Sequence, residues 1–239
     1  MKYLFIITML VCSSASAEPV TLVSGQGQKV LIELYTSEGC SSCPPAEKYL
    51  NTYRHNKELW HTYIPVAFHV DYWDYIGWKD RFASPSFSTR QRQHARERNV
   101  RSVYTPSFMV NGAGWQPGWF GNKAPNVKSA ISGKLNVTIN EKQLTASYVS
   151  PVEQENDLRL HIALLGMDLV SHINAGENRD RTLPHDFVVI GFKTIRSHDG
   201  EWQTLLPELH FSETEASAIA VWVTQNHSLK PLQAVGGYL

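Results

Sequence analysis

Val30-Leu31-Ile32-Glu33-Leu34-Tyr35-Thr36-Ser37-Glu38-Gly39-Cys40-Ser41-Ser42-Cys43-Pro44-Pro45-Ala46 is the stretch on which the reading of this chain turns. Its first six residues are β-prone and apolar around a single acid, the look of a strand buried on both faces. Residues 36–39 make a turn. After the two cysteines, Ala46, Tyr49, Leu50 and Tyr53 recur at helical spacing, which predicts a helix from about the cysteines to about His55. Strand, turn, CxxC and helix therefore follow one another in that order.

Upstream, Lys2, an apolar run over residues 4–11 and Ala15-Ser16-Ala17 read as an export signal, residues 1–17, removed before Glu18. The run is shorter than the roughly 20 residues that span a bilayer, so the mature chain is expected in the periplasm or outside the cell, with no membrane attachment. Cys12 raises a lipid anchor, but Val11 stands where such a site wants Gly or Ala. Removing the signal leaves two of the three cysteines, Cys40 and Cys43, which can pair only with each other. A disulfide gains stabilisation from the loop it closes, so a four-residue loop makes a poor staple and a good switch. The 239 residues suffice for two compact units, and 42% hydrophobic with 18% charged residues is an ordinary globular composition. Twenty-two basic and 22 acidic side chains cancel, which indicates no nucleic-acid partner.

Downstream, residues 63–70 predict a second strand, parallel to the first by a right-handed crossover. Residues 71–81 form a loop carrying Tyr72, Trp73, Tyr75 and Trp78. A polar helix follows over about 84–99, whose Arg90, Arg92, Arg96 and Arg98, with Glu97 among them, read as a solvated face. Residues 103–110 lead through Asn111-Gly112, a strong hairpin signal, to a partner strand at 113–116, and a helix is expected over about 124–132. The order β-α-β-α-β-β-α is that of the minimal thioredoxin fold. Beyond Leu135 the texture changes to short β-prone runs at 135–139, 144–149, 158–165, 187–192 and 219–224. The expected fold class is thus an α/β thioredoxin-like domain carrying the CxxC, residues 28–134, followed by a mostly-β sandwich-like domain, residues 135–239.

A zinc site built on a CxxC needs four ligands and usually a second thiolate pair, which this chain lacks. At a helix N-terminus, unpaired N–H groups and the helix dipole favour thiolate, so Cys40 is the expected nucleophile and Cys43, deeper in, the resolving thiol. Likeness to thioredoxin-like domains implies a cis-proline opposite the cysteines, Pro106, with Thr105 beside it in the substrate groove. It also implies for Glu33 the part of a buried acid that moves the resolving thiol's proton, against a plain surface or salt-bridged Glu33. The second strand should deliver His69 and Asp71 to the same end of the sheet. Two thiolates and an imidazole suit copper(I), which opens an alternative as a copper chaperone using Cys40, Cys43 and His69. The aromatic cluster reads either as core packing or as a substrate platform, with Trp73 and Trp78 the contacts beside Asp71.

Residues 33–46, then His69-Val70-Asp71-Tyr72-Trp73-Asp74 with Gly77-Trp78-Lys79-Asp80, then Tyr104-Thr105-Pro106 and Val110-Asn111-Gly112, resemble the exported proteins called domain of unknown function 1223. Gly176-Glu177-Asn178-Arg179, Arg181-Thr182-Leu183 and His185 fit the second half of the same family. The resemblance implies a thioredoxin-like fold and carries no activity. The segment around Asn178, Arg179 and Asp180 reads either as a lid over the cysteines or as a charged hairpin. The leading expectation is an oxidoreductase outside the cytosol: Cys40 attacks a protein or small-molecule disulfide, Cys43 resolves, and no cofactor takes part. Besides the copper chaperone, the rival is a non-catalytic binding module with an inert disulfide.

Overall fold

In the computed structural model, residues 18–118, 124–125, 131–152, 157–210 and 215–239 are described. A short strand, β1 (Val20–Val23), precedes β2 (Val30–Thr36), in which all seven side chains are buried. The helix α1 (Pro44–Asn51) starts after Cys43 and continues as a 3₁₀ turn over Thr52–His55. Two prolines open it, at positions whose N–H groups have no intrahelical partner. Strand β3 (Tyr63–His69) lies parallel to β2, with Thr36 opposite His69. A 3₁₀ turn over Asp74–Ile76 leads to α2 (Pro85–Arg96), capped by the Ser84 hydroxyl, which accepts from the Ser86 N–H at 3.3 Å. Strands β4 (Ser107–Val110) and β5 (Ala113–Trp115) pair through Asn111 and Gly112, both at positive φ. Gly112 is also confined by the chain, since a Cβ there would lie 2.7 Å from Lys230 Cα. The expected export signal, and most of the helix expected over 124–132, lie outside the described residues.

The second half supplies β6 (Lys134–Asn140), β7 (Gln143–Val149), β8 (Leu158–Gly166), β9 (Leu169–His172), β10 (Thr182–His185), β11 (Val188–Ser197), β12 (Glu201–Leu205), β13 (Ala218–Gln225) and β14 (Pro231–Tyr238). The main sheet has eight strands in the order β14-β13-β8-β11-β3-β2-β4-β5. A second sheet runs β1-β6-β7-β12, and β9 and β10 form a hairpin.

This arrangement corrects the expected fold class. The described residues are mostly β, with two α-helices, and do not form an α/β thioredoxin-like domain followed by a mostly-β sandwich-like one. The reason lies at the side of β3 away from β2. It is not a free edge: β11 pairs with it in parallel at Val188 and Ala67, and the Ala67 N–H donates to Phe187 O at 2.8 Å. One sheet therefore runs through both halves of the chain. Its two faces bury different cores. Ala163 and Leu165 of β8 join Tyr35, Leu50, Phe68, Phe87 and Trp222 on one face. Leu158, Leu160, Ile162 and Leu164, alternating with them, join Leu135, Val137, Leu144 and Trp202 of the four-stranded sheet on the other.

Candidate functional site

The turn after β2 is tight. Cys40 N–H donates to Ser37 O and Cys43 N–H to Cys40 O, both at 3.1 Å. Gly39 fits a close approach, because a Cβ there would sit 3.1 Å from Trp73 Cβ and 3.3 Å from Ile76 Cδ1 and press on both. Cys43 is the N-cap of α1, so Cys40 lies three residues before the cap. The expected dipole argument for Cys40 is therefore replaced by a local one. The Cys43 thiol hydrogen-bonds the Cys40 sulfur, and against the cost of burial the Ser42 and Thr105 hydroxyls and the Ser42 N–H add to it, bringing the Cys40 pKa down to about 6. The Ser42 Oγ is 3.2 Å from the Cys40 sulfur. Cys43 goes the other way: burial first, then its bond to Cys40 and the charge there, hold it well above the ordinary thiol range, while the Thr36 hydroxyl and Ser37 N–H oppose only in part. The surroundings thus push the two thiols in opposite directions, Cys40 toward thiolate and Cys43 toward the protonated form.

Behind Cys43 lies a buried cluster of acids and imidazoles. Thr36, the last residue of β2, donates its hydroxyl to Glu47 Oε1 at 2.6 Å, and Glu47 Oε2 accepts from His185 Nδ1 at 2.5 Å. His185, at the end of β10, has Nε2 3.3 Å from Glu38 Oε1, misaligned for a hydrogen bond. Glu38 Oε2 accepts from the Trp78 indole at 2.7 Å. His69, opposite Thr36, bonds Asp80 Oδ2 through Nδ1 at 2.7 Å, and Asp80 is fixed in turn by the N–H groups of Glu38 and Phe82, both at 2.9 Å. Burial alone would push His185 down, but Glu47 and Glu38 raise it to about 10. Burial likewise opposes the charged forms of Glu47 and His69. The imidazolium at His185 outweighs it for Glu47, which stays below the usual carboxylate range, and Asp80 outweighs it for His69, which is raised.

The β9–β10 hairpin both carries His185 and covers the cysteine turn. Asn178, fully buried between the two strands, donates to Glu38 O at 2.8 Å and Cys40 O at 3.0 Å, and Glu177 accepts from Ser41 N–H at 3.1 Å. The two readings of this segment describe one object, a hairpin whose tip straps the turn.

Glu33 stands elsewhere. Arg90 of α2 holds it with two hydrogen bonds at 2.9 and 3.0 Å, Tyr35 OH adds one at 2.8 Å, and Arg90 with His94 keeps its carboxyl below the ordinary range despite burial. All its partners are on that side, so it faces no cysteine partner. Arg90, read from sequence as part of a solvated face, is 6% exposed and its guanidinium lies over Phe68, Phe192 and Trp222. An acid inside an apolar buried strand needs a cation, and that was the signal available for Arg90.

The Thr105–Pro106 peptide is cis, and Pro106 lines a cleft of about 700 Å³ with Ser42, Tyr49, Tyr104, Phe108 and Trp115. Trp73 donates its indole N–H to Thr105 Oγ1 at 2.7 Å, so it steadies the hydroxyl that bonds Cys40. Trp78 serves Glu38, and Asp71 is tied to Ser88 of α2. None of the four expected substrate contacts, Thr105, Trp73, Trp78 and Asp71, is among the residues that line the cleft. Among the described residues the ligand atoms that gather within 4.8 Å belong to Glu47, His69 and His185, a set that leaves out both sulfurs. Glu47 was not singled out by sequence, and Thr36, Glu38, Asp80 and His185 only as parts of a family motif.

Residues 31–224 match the family described as "Protein of unknown function (DUF1223)", and the chain belongs to it. A crystal structure of a protein from Agrobacterium tumefaciens aligns with a TM-score of 0.63 at 21% identity, covering 90% of this chain and 95% of the other. HBP35 of Porphyromonas gingivalis aligns at 0.59 and 14% identity, covering 90% and 76%. Both are likenesses of fold. No curated protein matches the chain.

Proposed function

We propose that the chain is an exported thiol-disulfide oxidoreductase with Cys40 and Cys43 as its redox pair. The observation that carries this reading is the opposed environment of the two thiols, one lowered to about 6 and the other held high by burial. In the reducing direction the Cys40 thiolate attacks one sulfur of a substrate disulfide. A Cys40–substrate disulfide forms and the first substrate thiolate leaves. Cys43 then gives up its proton toward Thr36 and Glu47, attacks the Cys40 sulfur and expels the second substrate thiolate. Two electrons pass to the substrate and a Cys40–Cys43 disulfide remains. The reverse sequence oxidises a substrate dithiol.

In this scheme Glu47, hydrogen-bonded to Thr36 at 2.6 Å, takes the part that the sequence assigned to Glu33. The cleft beside Ser42 and Pro106 has the aromatic walls suited to an extended peptide or an apolar thiol. Residues 2–17 support export, and an oxidising compartment suits the chemistry.

The deciding measurement is the reduction potential of the couple, from equilibration in graded thiol buffers, alkylation and mass spectrometry. A value between about −120 and −270 mV is expected; one below about −300 mV identifies a structural disulfide and ends the catalytic reading.

A further inference from the structure

We propose that Glu47, His69 and His185 bind one divalent transition-metal ion of the zinc class, with a donor set that includes neither cysteine sulfur. Each offers a donor atom, these atoms lie within 4.8 Å of one another, and all three side chains are buried. The independent observation is a buried polar atom left without a partner at the same place, His69 Nε2, beside His185 Nε2 and Glu38 Oε1, which face each other at 3.3 Å as an ion pair without a hydrogen bond. Buried polar atoms are almost always satisfied, so an unpartnered imidazole nitrogen beside this donor set is what an empty ligand site would leave.

The surroundings fit a metal centre. His69 directs its other nitrogen to Asp80 at 2.7 Å, and Asp80 is pinned by two backbone N–H groups. An imidazole fixed by a carboxylate behind it is the usual support of a metal-ligating histidine. The Phe82 ring packs against both imidazoles, with centroids 5.3 and 5.5 Å away, and gives the site a dry wall. Three buried carboxylates, Glu38, Glu47 and Asp80, surround two imidazoles, so a dication is welcome electrostatically. Two nitrogens and a carboxylate oxygen form a borderline donor set, matched to Zn²⁺ or Co²⁺ rather than to copper(I) or Mg²⁺. His69 thereby leaves the copper set proposed with Cys40 and Cys43. The donors come from α1, β3 and β10, so the ion would tie the β9–β10 hairpin to the rest of the fold.

The test is Zn²⁺ binding to the purified chain, in competition with a chromogenic chelator. One ion per chain is expected, with affinity unchanged within about threefold when Cys40→Ser and Cys43→Ser are combined. His69→Gln and His185→Gln should each weaken binding by at least the 10- to 100-fold typical of a supporting residue, and Asp80→Asn by about that factor. Co²⁺ added to the unsubstituted chain gives a readout that needs no variant: visible d–d bands with no thiolate-to-cobalt charge transfer. Absence of binding, binding lost with the cysteines, full affinity in folded His185→Gln, or a thiolate band would each overturn the assignment.

Discussion

Glu33, at the middle of β2, and Thr36 with Glu47, at its end, anchor two buried clusters of charge three residues apart on one strand. Around Glu33 the carboxylate oxygens are taken by Arg90 and Tyr35, and the guanidinium is covered by aromatic rings. The cluster around Glu47 does not close in the same way: His69 Nε2 has no partner, and His185 Nε2 meets Glu38 Oε1 at 3.3 Å without a hydrogen bond. A closed cluster has spent its polar atoms on holding the fold. An open one keeps donors in reserve, and it is the open cluster that touches the resolving cysteine through Thr36.

If the Glu33 cluster is purely structural, Glu33→Ala should produce the largest loss of stability, about 3–5 kcal/mol, because it strands a buried guanidinium. The measurement is denaturant unfolding, and pairing Glu33→Leu with Arg90→Met should restore most of the loss. A cost under about 1 kcal/mol would show that the ion pair is not buried in solution, and the contrast between the clusters would go with it. Thiol exchange per folded molecule should stay unchanged.

The pH profile of Cys40 sharpens the other side of the comparison. Its pKa is lowered, so thiolate persists down to the folded value and is lost only as the pH falls through it. Alkylation of Cys40 should therefore reach half its limiting rate near pH 6, where the hydrogen bonds from Cys43, Ser42 and Thr105 have brought it. An unperturbed thiol would give about 8.5. Cys43 should stay unmodified throughout, and a half-point near 8.5 would remove the asymmetry on which catalysis rests.

Much of the Cys40 side was legible in sequence, and little of the cluster behind it. Periodicity gave β2, α1 and the alternating β8, and Asn111-Gly112 gave the β4–β5 hairpin, because each is encoded within a few neighbouring residues. The pairing of β3 with β11 joins Ala67 to Val188, with nothing local to announce it. Its omission produced the wrong fold class. Helix α2 misled for a different reason: its buried positions, Phe87, Ser88, Arg90, Gln91 and His94, keep helical spacing but are mostly polar, so a search for apolar periodicity sees a solvated helix. Glu47 and His185 are 138 residues apart and meet only when the β9–β10 hairpin docks on α1.

That docking can be loosened. Asn178→Ala removes the donor to Glu38 O and Cys40 O; Cys40 O keeps the Cys43 N–H, but Glu38 O loses its side-chain partner, and the loss should cost about 1–3 kcal/mol. Because Cys40 is 1% exposed, release of the strap should also speed its alkylation. Lost stability with no change in that rate would make the hairpin tip a structural element without control over the thiol.

The smallest expected effect is the most specific. Thr36→Val keeps the shape of the side chain and removes only the hydroxyl that links Cys43 to Glu47. Attack by Cys40 does not use this hydroxyl, so alkylation at Cys40 and formation of the mixed disulfide should proceed at the parent rates. Resolution requires the Cys43 proton to leave, so decay of the trapped mixed disulfide should slow by about tenfold, the equivalent of about 1.4 kcal/mol in the barrier. Single-turnover kinetics with a chromogenic disulfide separate the two phases. If both phases slow together, the substitution has disturbed the turn as a whole. If neither does, the proton leaves Cys43 by another path, and the open cluster has no share in the exchange. A change confined to the second phase would tie the Thr36–Glu47 link to the chemistry, which the Glu33 cluster, three residues back on the same strand, has no means to join.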